Sequence, residues 1–468
     1  MLWFSTLVSA LALAPAVCAL DFTDYANDFP DPAYVLAKGF NSTTAAAQQT
    51  IVGWADSLAA QGPWSVMNKT VIPPTGNKHD YMSWAPYWWP NCTDVGNTTA
   101  LTPEQIWVTC PYYQRDGEFN PDGRLVNDTG NFDAMSNAVL YNALAWVLTG
   151  APQYSANAAS FLNVWFLDAD TAMTPNLDYA QMQRGPKGQV GTHTGVLLLT
   201  SDWLTGRRRD LKGMAIISTA ILVLREGNST DWTSTLDGQM NAWLTQYVTW
   251  LQTNSIALAE AAATNNHGTF YYNQLAALQI VVGDKTGALN TTTTYFNAQY
   301  MHQINANGEQ PLEAARTRPY HYRCYNLAAM IPQTNARIAE YLGTNFWNKT
   351  TAQGATIQTA LDYTMTVPPG ADLPAELYPN IAAVAATYGD PTGKYASWLA
   401  QADNTYPAQA YFFWDQPFSD SNLAAATPSA SASAVVASMS ASAKNGAASS
   451  GPCYLGVVAG IVAAYMWL

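Results

Sequence analysis

The sequence predicts an all-helical protein whose main body, residues 20–423, folds as one α/α toroid or incomplete barrel of roughly ten or more helices. Apolar residues recur at helical spacing along this body, whereas the alternation typical of strands is scarce. No fixed-length repeat is present, which favours a closed or partly closed ring over an open solenoid. With 49% hydrophobic residues, the chain of 468 residues can bury a large core.

The clearest predicted helix spans residues 131–148. Its apolar face is formed by Met135, Val139, Ala143, Trp146 and Val147. Gly150 and Pro152 follow, which indicates that the helix ends there. The same periodicity, interrupted by turns rich in Gly, Pro or Asn, predicts further helices over residues 208–225, 236–262, 270–282, 293–305, 324–342 and 352–365.

The two ends of the chain carry predicted targeting signals. Residues 1–19 have a short apolar stretch and small residues at a cleavage position, which is typical of a secretory signal peptide. Residues 424–450 consist almost entirely of Ala and Ser, and they predict a disordered stalk because they bury too little apolar surface to offset the ordering entropy. Residues 451–468 form an apolar tail after small residues and a polar spacer, as in a GPI-attachment signal.

Sequons and cysteines favour export as well. If Cys18 leaves with the signal peptide and Cys453 with the tail, Cys92, Cys110 and Cys324 remain. We expect a disulfide between Cys92 and Cys110 and a buried structural thiol at Cys324, for which a nucleophile is the alternative. The predicted location is extracellular, on the plasma membrane through a lipid anchor or in the cell wall. The sequons lie at Asn41, Asn68, Asn91, Asn97, Asn127, Asn228, Asn290 and Asn348.

The formal net charge of −13 excludes a nucleic-acid-binding surface, because binding to phosphates requires a basic face. Only 11% of the residues are charged. An acidic glycan would be repelled by the chain as a whole. A site for such a ligand therefore has to concentrate its few cations locally.

The segment 76–90 is the first candidate site, because it is too rich in Trp and Tyr for an ordinary connection. Aromatic faces stack on sugar rings, and polar tips can hydrogen-bond hydroxyl or carboxylate groups. The predicted substrate-binding residues here are Lys78, His79, Tyr81 and Trp88. The alternative is an aromatic plug buried against the helices.

The segment 264–268 is the second candidate site and contains Asn265, Asn266, His267 and Gly268 at a predicted helix junction, with Asn265 as a predicted substrate-binding residue. Asn and Gly are expected at helix ends as left-handed caps, which is the structural alternative for Asn265 and Gly268. The chain has only five histidines, and His267 is placed where a concave site would be lined. A histidine that only stabilises the fold is the alternative for His267.

The segment 313–326 is the third candidate site. Between Arg316 and Asn326 it holds three arginines, three tyrosines and a histidine, in a chain with 20 basic residues in all. Such mixing of Arg and Tyr indicates a cleft for a polyanion rather than a solvated helix face. Tyr320 and Arg323 are the predicted substrate-binding residues of this segment.

Together these segments resemble the alginate lyase domain family of polysaccharide lyases. The resemblance spans about residues 65–345 and rests on Lys-His-Asp-Tyr with Tyr-Trp-Trp-Pro, on Asn-Asn-His-Gly, and on Gln-Pro-Leu-Glu before Arg-Thr-Arg and His-Tyr. It implies an α/α toroid with a cleft across its wide end. It also implies an acidic polysaccharide as substrate and no required cofactor or metal.

The resemblance further implies catalytic residues. Asn266 and His267 match the Asn-His pair of the family, and Tyr322 matches the tyrosine of its His-Tyr motif. Arg316 and Arg318 are both candidates for the family's arginine, because the spacing to the tyrosine is one residue shorter here than in bacterial mannuronate lyases. Arg323 stands where those enzymes often have His.

These residue types suit β-elimination, which removes the C5 proton of a uronate and expels the C4 oxygen. Asn266 and an arginine would neutralise the carboxylate and stabilise the enolate-like transition state. His267 would assist or take the proton. Tyr322 is expected to act as base and then acid, with a pKa lowered by neighbouring arginines.

Two other classes of protein remain open from the sequence. An inverting glycoside hydrolase would need two facing carboxylates, for which Asp80, Asp178 and Glu313 are the candidates. A non-catalytic protein that binds cell-wall polysaccharide would keep the aromatic cleft without the chemistry. Scattered histidines without paired ligand spacing predict no metal site. The protein is expected to be a monomer.

Overall fold

Helices form most of the part of the chain that the computed structural model describes, namely residues 20–24, 28–96, 100–187, 211–331 and 335–418. None of the helices in these ranges is both long and apolar enough to cross a membrane. The helices are α1 Pro32–Ala37, α2 Ala45–Ala59, α3 Pro103–Thr109, α4 Asp128–Thr149, α5 Pro152–Leu162, α6 Met214–Glu226, α7 Ser234–Thr253, α8 Ser255–Ala262, α9 Asn266–Val281, α10 Lys285–Asn297, α11 Pro311–Ala314, α12 Pro319–Met330, α13 Asn335–Tyr341, α14 Ile357–Thr364, α15 Tyr378–Tyr388, α16 Lys394–Ala402 and α17 Ala410–Trp414.

The described residues belong to a unit that spans Met1–Ala425, and a second unit spans Ala426–Leu468. The predicted signal peptide, stalk and tail all lie outside the described residues. Asn97 also lies outside them. Export, anchoring and glycosylation therefore stay predictions.

Seven of the described helices form a closed ring of contacts. In order, α2 packs on α4, α4 on α6, α6 on α9, α9 on α12, α12 on α15, α15 on α17, and α17 returns to α2. The helices α5, α10, α14 and α16 each pack against a member of this ring. The closed circuit confirms the predicted all-helical toroid.

Most of the ring helices, though not α2, are buried around most of their circumference. In α4 and α9 nearly every residue is buried, polar ones included. A helix without an exposed polar face belongs to the interior of a large core. Its polar side chains then need internal partners, as when the amide of Asn137 donates to Oδ1 of Asp24 at 3.0 Å.

Strands are few and short in the described part of the chain. β1 (Met82–Trp84) pairs in parallel with β4 (Tyr179–Met182), and β2 (Trp88–Pro90) pairs antiparallel with β3 (Tyr112–Gln114). The β2–β3 pair is a ribbon that carries part of the candidate site.

The cysteine prediction is confirmed. A disulfide joins Cys92 and Cys110 at the end of the ribbon, and Cys324 is a buried free thiol. Burial raises the pKa of Cys324 well above its ordinary value. A thiol that resists ionisation is a poor nucleophile, which supports a structural role.

Several helix boundaries differ from the predictions for identifiable reasons. The helix predicted over 236–262 is broken at Asn254, which is extended and whose side chain accepts a hydrogen bond from Ile256 N at 2.9 Å to start α8. The helix predicted over 324–342 begins earlier, at Pro319, and ends at Met330. Ile331 is extended, as expected for a residue that precedes a proline, here Pro332. The helices predicted over 208–225, 270–282 and 352–365 overlap α6, α9 and α14. The helix predicted over 293–305 is misplaced, because α10 begins at Lys285 and ends at Asn297, and only a 3-10 turn follows at Tyr300–His302.

Two buried carboxyl groups predict an unusual pH dependence of stability. Asp28 and Asp415 are almost wholly buried, and Asp415 pairs with Arg337 at 2.9 Å. Burial raises the pKa of Asp415 to about 7, and burial followed by the charge of Asp415 raises the pKa of Asp28. A carboxyl whose pKa is higher in the folded than in the unfolded state stabilises the fold most below its unfolded pKa, and this contribution is lost as pH rises through the folded pKa.

We therefore expect the free energy of unfolding to fall by a few kcal/mol between about pH 4 and pH 7, since one pKa unit corresponds to roughly 1.4 kcal/mol. Urea unfolding across this range measures the slope. Asp415→Asn should flatten it, because the substitution also removes the charge that raises the pKa of Asp28. An equally steep slope in Asp415→Asn would contradict this assignment.

Candidate active site

Asn266 lies at the start of α9 and is bound by a carboxylate. Its backbone N–H donates to Oε1 of Glu313 at 2.8 Å, and its side-chain Nδ2 donates to Oε2 of the same residue. Both residues are almost completely buried. The carboxylate of Glu313 therefore holds the end of α9 and the amide of Asn266 together.

Asn265 caps α9, since its Oδ1 accepts a hydrogen bond from His267 N at 3.2 Å. Its φ of −99° is extended, so the left-handed cap expected for it is wrong. Gly268 is also not a terminal cap. It lies in the first turn of α9, where a Cβ atom would approach the carbonyl oxygen of Ala263 to 2.1 Å. This close approach requires glycine.

His267 is the partly exposed member of the α9 segment, with 20% of its side chain accessible. Its Nδ1 is hydrogen-bonded to Oε2 of Glu260 in α8 at 2.7 Å. Glu260 itself is buried. A carboxylate on one ring nitrogen fixes the orientation of the imidazole.

Arg316 is the cation of the site and makes two contacts at once. One guanidinium nitrogen lies 2.9 Å from a carboxylate oxygen of Asp116 and donates to the hydroxyl of Tyr322 at 2.7 Å. The guanidinium also lies 3.9 Å from the centre of the Tyr322 ring. Asp116 follows strand β3, so the ribbon and the segment 313–322 meet at this arginine.

Tyr322 is buried to 2% exposure in a cluster with Phe270, Tyr325 and Ala329. Its hydroxyl is hydrogen-bonded to Tyr87 as well as to Arg316. Burial and the neighbouring Tyr87 raise the pKa of Tyr322 far above its ordinary value, although Arg316 opposes the rise. The expectation of a lowered pKa is wrong, because desolvation outweighs the nearby cation.

The two helices that carry the site are joined just beneath it. Thr269 of α9 donates to Oδ1 of Asn326 in α12 at 2.8 Å. The rings of Phe270 and Tyr325 lie 4.2 Å apart. Asn266, Glu313, Arg316 and Tyr322 thus form a continuous series of neighbours along the α9–α12 contact, with His267 beside Asn266.

Arg318, the other candidate arginine, is held elsewhere. Its guanidinium pairs with Asp372 at 2.7 Å. Asp372 also accepts a hydrogen bond from His321 N at 3.0 Å. The structure places Arg316, and not Arg318, in contact with Tyr322.

The other predicted residues of the third segment are held by internal contacts. Both nitrogens of the Arg323 fork lie 2.7 Å from the oxygens of Glu309, which also accepts a hydrogen bond from Tyr363 at 2.9 Å. Tyr320 packs in the main hydrophobic core. Its hydroxyl donates to the carbonyl of Pro374 at 3.4 Å, and its predicted role in substrate binding stays a prediction.

The predicted residues of the first segment are divided between the core and the surface. Tyr81 is fully buried, with its hydroxyl 3.1 Å from Thr129 Oγ1, and its predicted substrate contact stays a prediction. Lys78 and His79 are half-buried and bind the carbonyls of Met67 and Ala172 at 3.3 and 2.6 Å. Trp88 is half-buried in β2.

The carboxylates that a hydrolase would need are not arranged as a pair. Asp80 accepts hydrogen bonds from Thr75 and Thr174 at 2.6 and 2.7 Å. Asp178 accepts from Trp250 and Asn254 at 2.8 and 3.1 Å. Of the three candidates, only Glu313 lies at the site.

The sequence did not indicate three residues of the site, which are Tyr87, Asp116 and Glu260. It also did not indicate that Glu313 binds Asn266. Tyr87 lies within the aromatic segment, whose density of Trp and Tyr was the only available signal. Asp116 and Glu260 have no local signal, because their partners are defined by packing. Glu313 stood out only as one of several carboxylates.

Comparison with known proteins identifies the family. The family model for alginate lyase matches residues 65–369. The crystal structure of an alginate lyase from Bacteroides ovatus is similar to this chain with a TM-score of 0.69 and 29% identity, over 83% of this chain and 97% of that one.

A more distant structure is alginate lyase A1-III from Sphingomonas species A1, with a TM-score of 0.40 and 16% identity over 73% of this chain and 78% of that one. No protein with a curated description matches the sequence significantly. On the strength of the family match, which covers most of the chain, this protein belongs to the alginate lyase family and is a polysaccharide lyase.

Proposed function

We propose that the protein cleaves a uronate-containing polysaccharide by β-elimination at Asn266, His267, Arg316 and Tyr322. The reaction removes the C5 proton, breaks the C4–O4 bond and leaves a C4–C5 double bond conjugated with the carboxylate. The proton goes to a base on the enzyme, and the leaving oxygen takes a proton from an acid.

The contact between Arg316 and Tyr322 is the observation that carries the proposal. It places a fixed cation next to a neutral phenol, at 2.7 Å between nitrogen and oxygen. A uronate carboxylate bound by Arg316 would bring its C4 oxygen towards the same phenol. Arg316 and Asn266 then stabilise the charge that develops on the carboxylate as the C5 proton leaves.

The two proton transfers are assigned from the surroundings of each group. Because its pKa is raised, Tyr322 is neutral in the resting enzyme and is suited to donate to the leaving oxygen. His267 is partly exposed and is oriented by Glu260 through Nδ1, so it is the proposed acceptor of the C5 proton. This division replaces the expectation that Tyr322 serves as both base and acid.

A polyuronate such as alginate or glucuronan is the proposed class of substrate. The relatives described as alginate lyases support alginate as the first polymer to test. The chain has a formal charge of −13, so the local cation at Arg316 gives the polyanion its point of attachment. The terminal signals and sequons support action outside the cell, on a membrane-anchored stalk or in the wall.

The decisive experiment incubates the purified protein with alginate, polymannuronate, polyguluronate and glucuronan and measures absorbance in the ultraviolet band of unsaturated uronates. We expect absorbance to rise with at least one polymer. His267→Gln, which keeps the size of the side chain without a basic nitrogen, should lower the rate by about 10²-fold or more. New reducing ends without this absorbance would indicate hydrolysis and refute the proposed reaction.

A further inference from the structure

The carboxyl group of Glu313 is held by Asn266 through both of its oxygens. Both of its oxygens accept hydrogen bonds from Asn266, one from the backbone and one from the side chain. Its side chain is 1% exposed. Glu313 therefore acts on the reaction only through the amide that it holds.

The side-chain amide oxygen of Asn266, Oδ1, is buried and has no hydrogen-bond partner among the described residues. A buried acceptor without a partner costs roughly 1–3 kcal/mol. This cost disappears if the group that faces the amide can donate a hydrogen bond to Oδ1, which an ionised carboxylate cannot.

A neutral Glu313 is such a donor. Two titratable groups interact electrostatically with Glu313. They are Arg316, three residues further along the chain, and Tyr295 of α10. Burial raises the pKa of Glu313 to about 7, even though Arg316 and the two hydrogen bonds from Asn266 favour the charged form. A second carboxylate, that of the substrate, would repel an ionised Glu313 further.

We propose that Glu313 is a positioning residue that becomes neutral when substrate binds, donates its hydrogen to Oδ1 of Asn266 and thereby turns both Nδ2 hydrogens of that amide towards the uronate carboxylate. The proton is taken up from solvent, and no covalent bond of the sugar changes in this step. The inference rests on the proposed function, because it assigns the carboxylate of a uronate to Asn266.

Two substitutions at position 313 separate the neutral from the ionised form. Glu313→Gln has the shape of the neutral acid, since its amide can donate to Oδ1 while its oxygen accepts from Asn266 N. We expect kcat/KM of Glu313→Gln to stay within about threefold of the wild type near pH 6. Glu313→Ala, which orients nothing, should lose about tenfold or more at every pH.

The pH profile distinguishes this role from a purely structural one. Above pH 7 the wild-type enzyme must take up a proton to bind, so its KM should rise towards tenfold per pH unit with a smaller change in kcat. The KM of Glu313→Gln should lack this rise. If Glu313→Gln is as impaired as Glu313→Ala while the wild type releases unsaturated ends, the inference is wrong and the proposed function stands.

Proton uptake provides a readout that does not depend on turnover. The experiment uses the Tyr322→Phe variant and a pentasaccharide from the polymer that the wild type degrades fastest. Calorimetric titration at pH 8 in two buffers of different ionisation enthalpy measures the protons taken up on binding. We expect uptake of close to one proton. The double variant with Glu313→Gln should show close to one proton less. Equal uptake by the two proteins would overturn the assignment.

Discussion

Replacing Tyr322 with phenylalanine is expected to lower kcat/KM on the polyuronate by about 10³-fold while the protein stays folded. The ring remains in its cluster with Phe270 and Tyr325, so the packing is retained. The hydroxyl that accepts from Arg316 is lost, and with it the proposed acid for the leaving oxygen. General acid catalysis accounts for roughly 10²–10⁴-fold of rate in enzymes.

A substrate with a better leaving group identifies what the hydroxyl does. A synthetic uronate that carries a nitrophenoxy group at C4 needs no proton on departure, so Tyr322→Phe should cleave it within about tenfold of the wild-type rate. Tyr271→Phe is the matched control, since its buried hydroxyl binds the carbonyl of Leu251 at 3.0 Å away from the site. An equally large defect on both substrates would show that Tyr322 is not the acid.

Arg316→Lys is expected to lower kcat/KM by about 10²–10³-fold, and Arg318→Lys by less than tenfold. A lysine at 316 cannot bind Asp116, Tyr322 and a substrate carboxylate at once, because it lacks the planar fork of the guanidinium. Loss of one preorganised donor to a developing charge has effects of this size. At 318 a lysine can still pair with Asp372.

The two substitutions can be compared directly, since both convert a partly exposed arginine to lysine within three residues of sequence. Kinetics with the same polymer, together with thermal unfolding of each variant, separate catalysis from stability. A larger defect in Arg318→Lys than in Arg316→Lys, at equal stability, would reverse the assignment.

The helical class could be predicted because periodicity is local. The window over 131–148 corresponds to α4 within three residues at each end. The breaks at Asn254 and Ile331 were missed, because apolar spacing continues across them while capping and a following proline interrupt the backbone. The closed ring itself was favoured by the absence of a repeat and implied by the resemblance to the alginate lyase family.

The candidate site was predictable where its residues are unusual in type and adjacent in sequence, as with Asn266, His267 and Tyr322. The distinction between Arg316 and Arg318 was not, because it depends on Asp116, which lies 200 residues away from Arg316 in the chain. Tyr322 shows a further limit. Its neighbours could be guessed from sequence, but the desolvation that dominates its pKa could not.

The seam between α17 and α2 joins the last and the first parts of the described body. The hydroxyl of Tyr34, close to this seam, donates to the carbonyl of Phe413, 379 positions along the chain. A growing polypeptide cannot make such a contact until α17 has left the ribosome, so apolar faces of the ring stay uncovered until then. Folding of the described body is therefore exposed to aggregation until α17 has been made, and a chain truncated a few dozen residues before Trp414 would lack the helix that closes the ring.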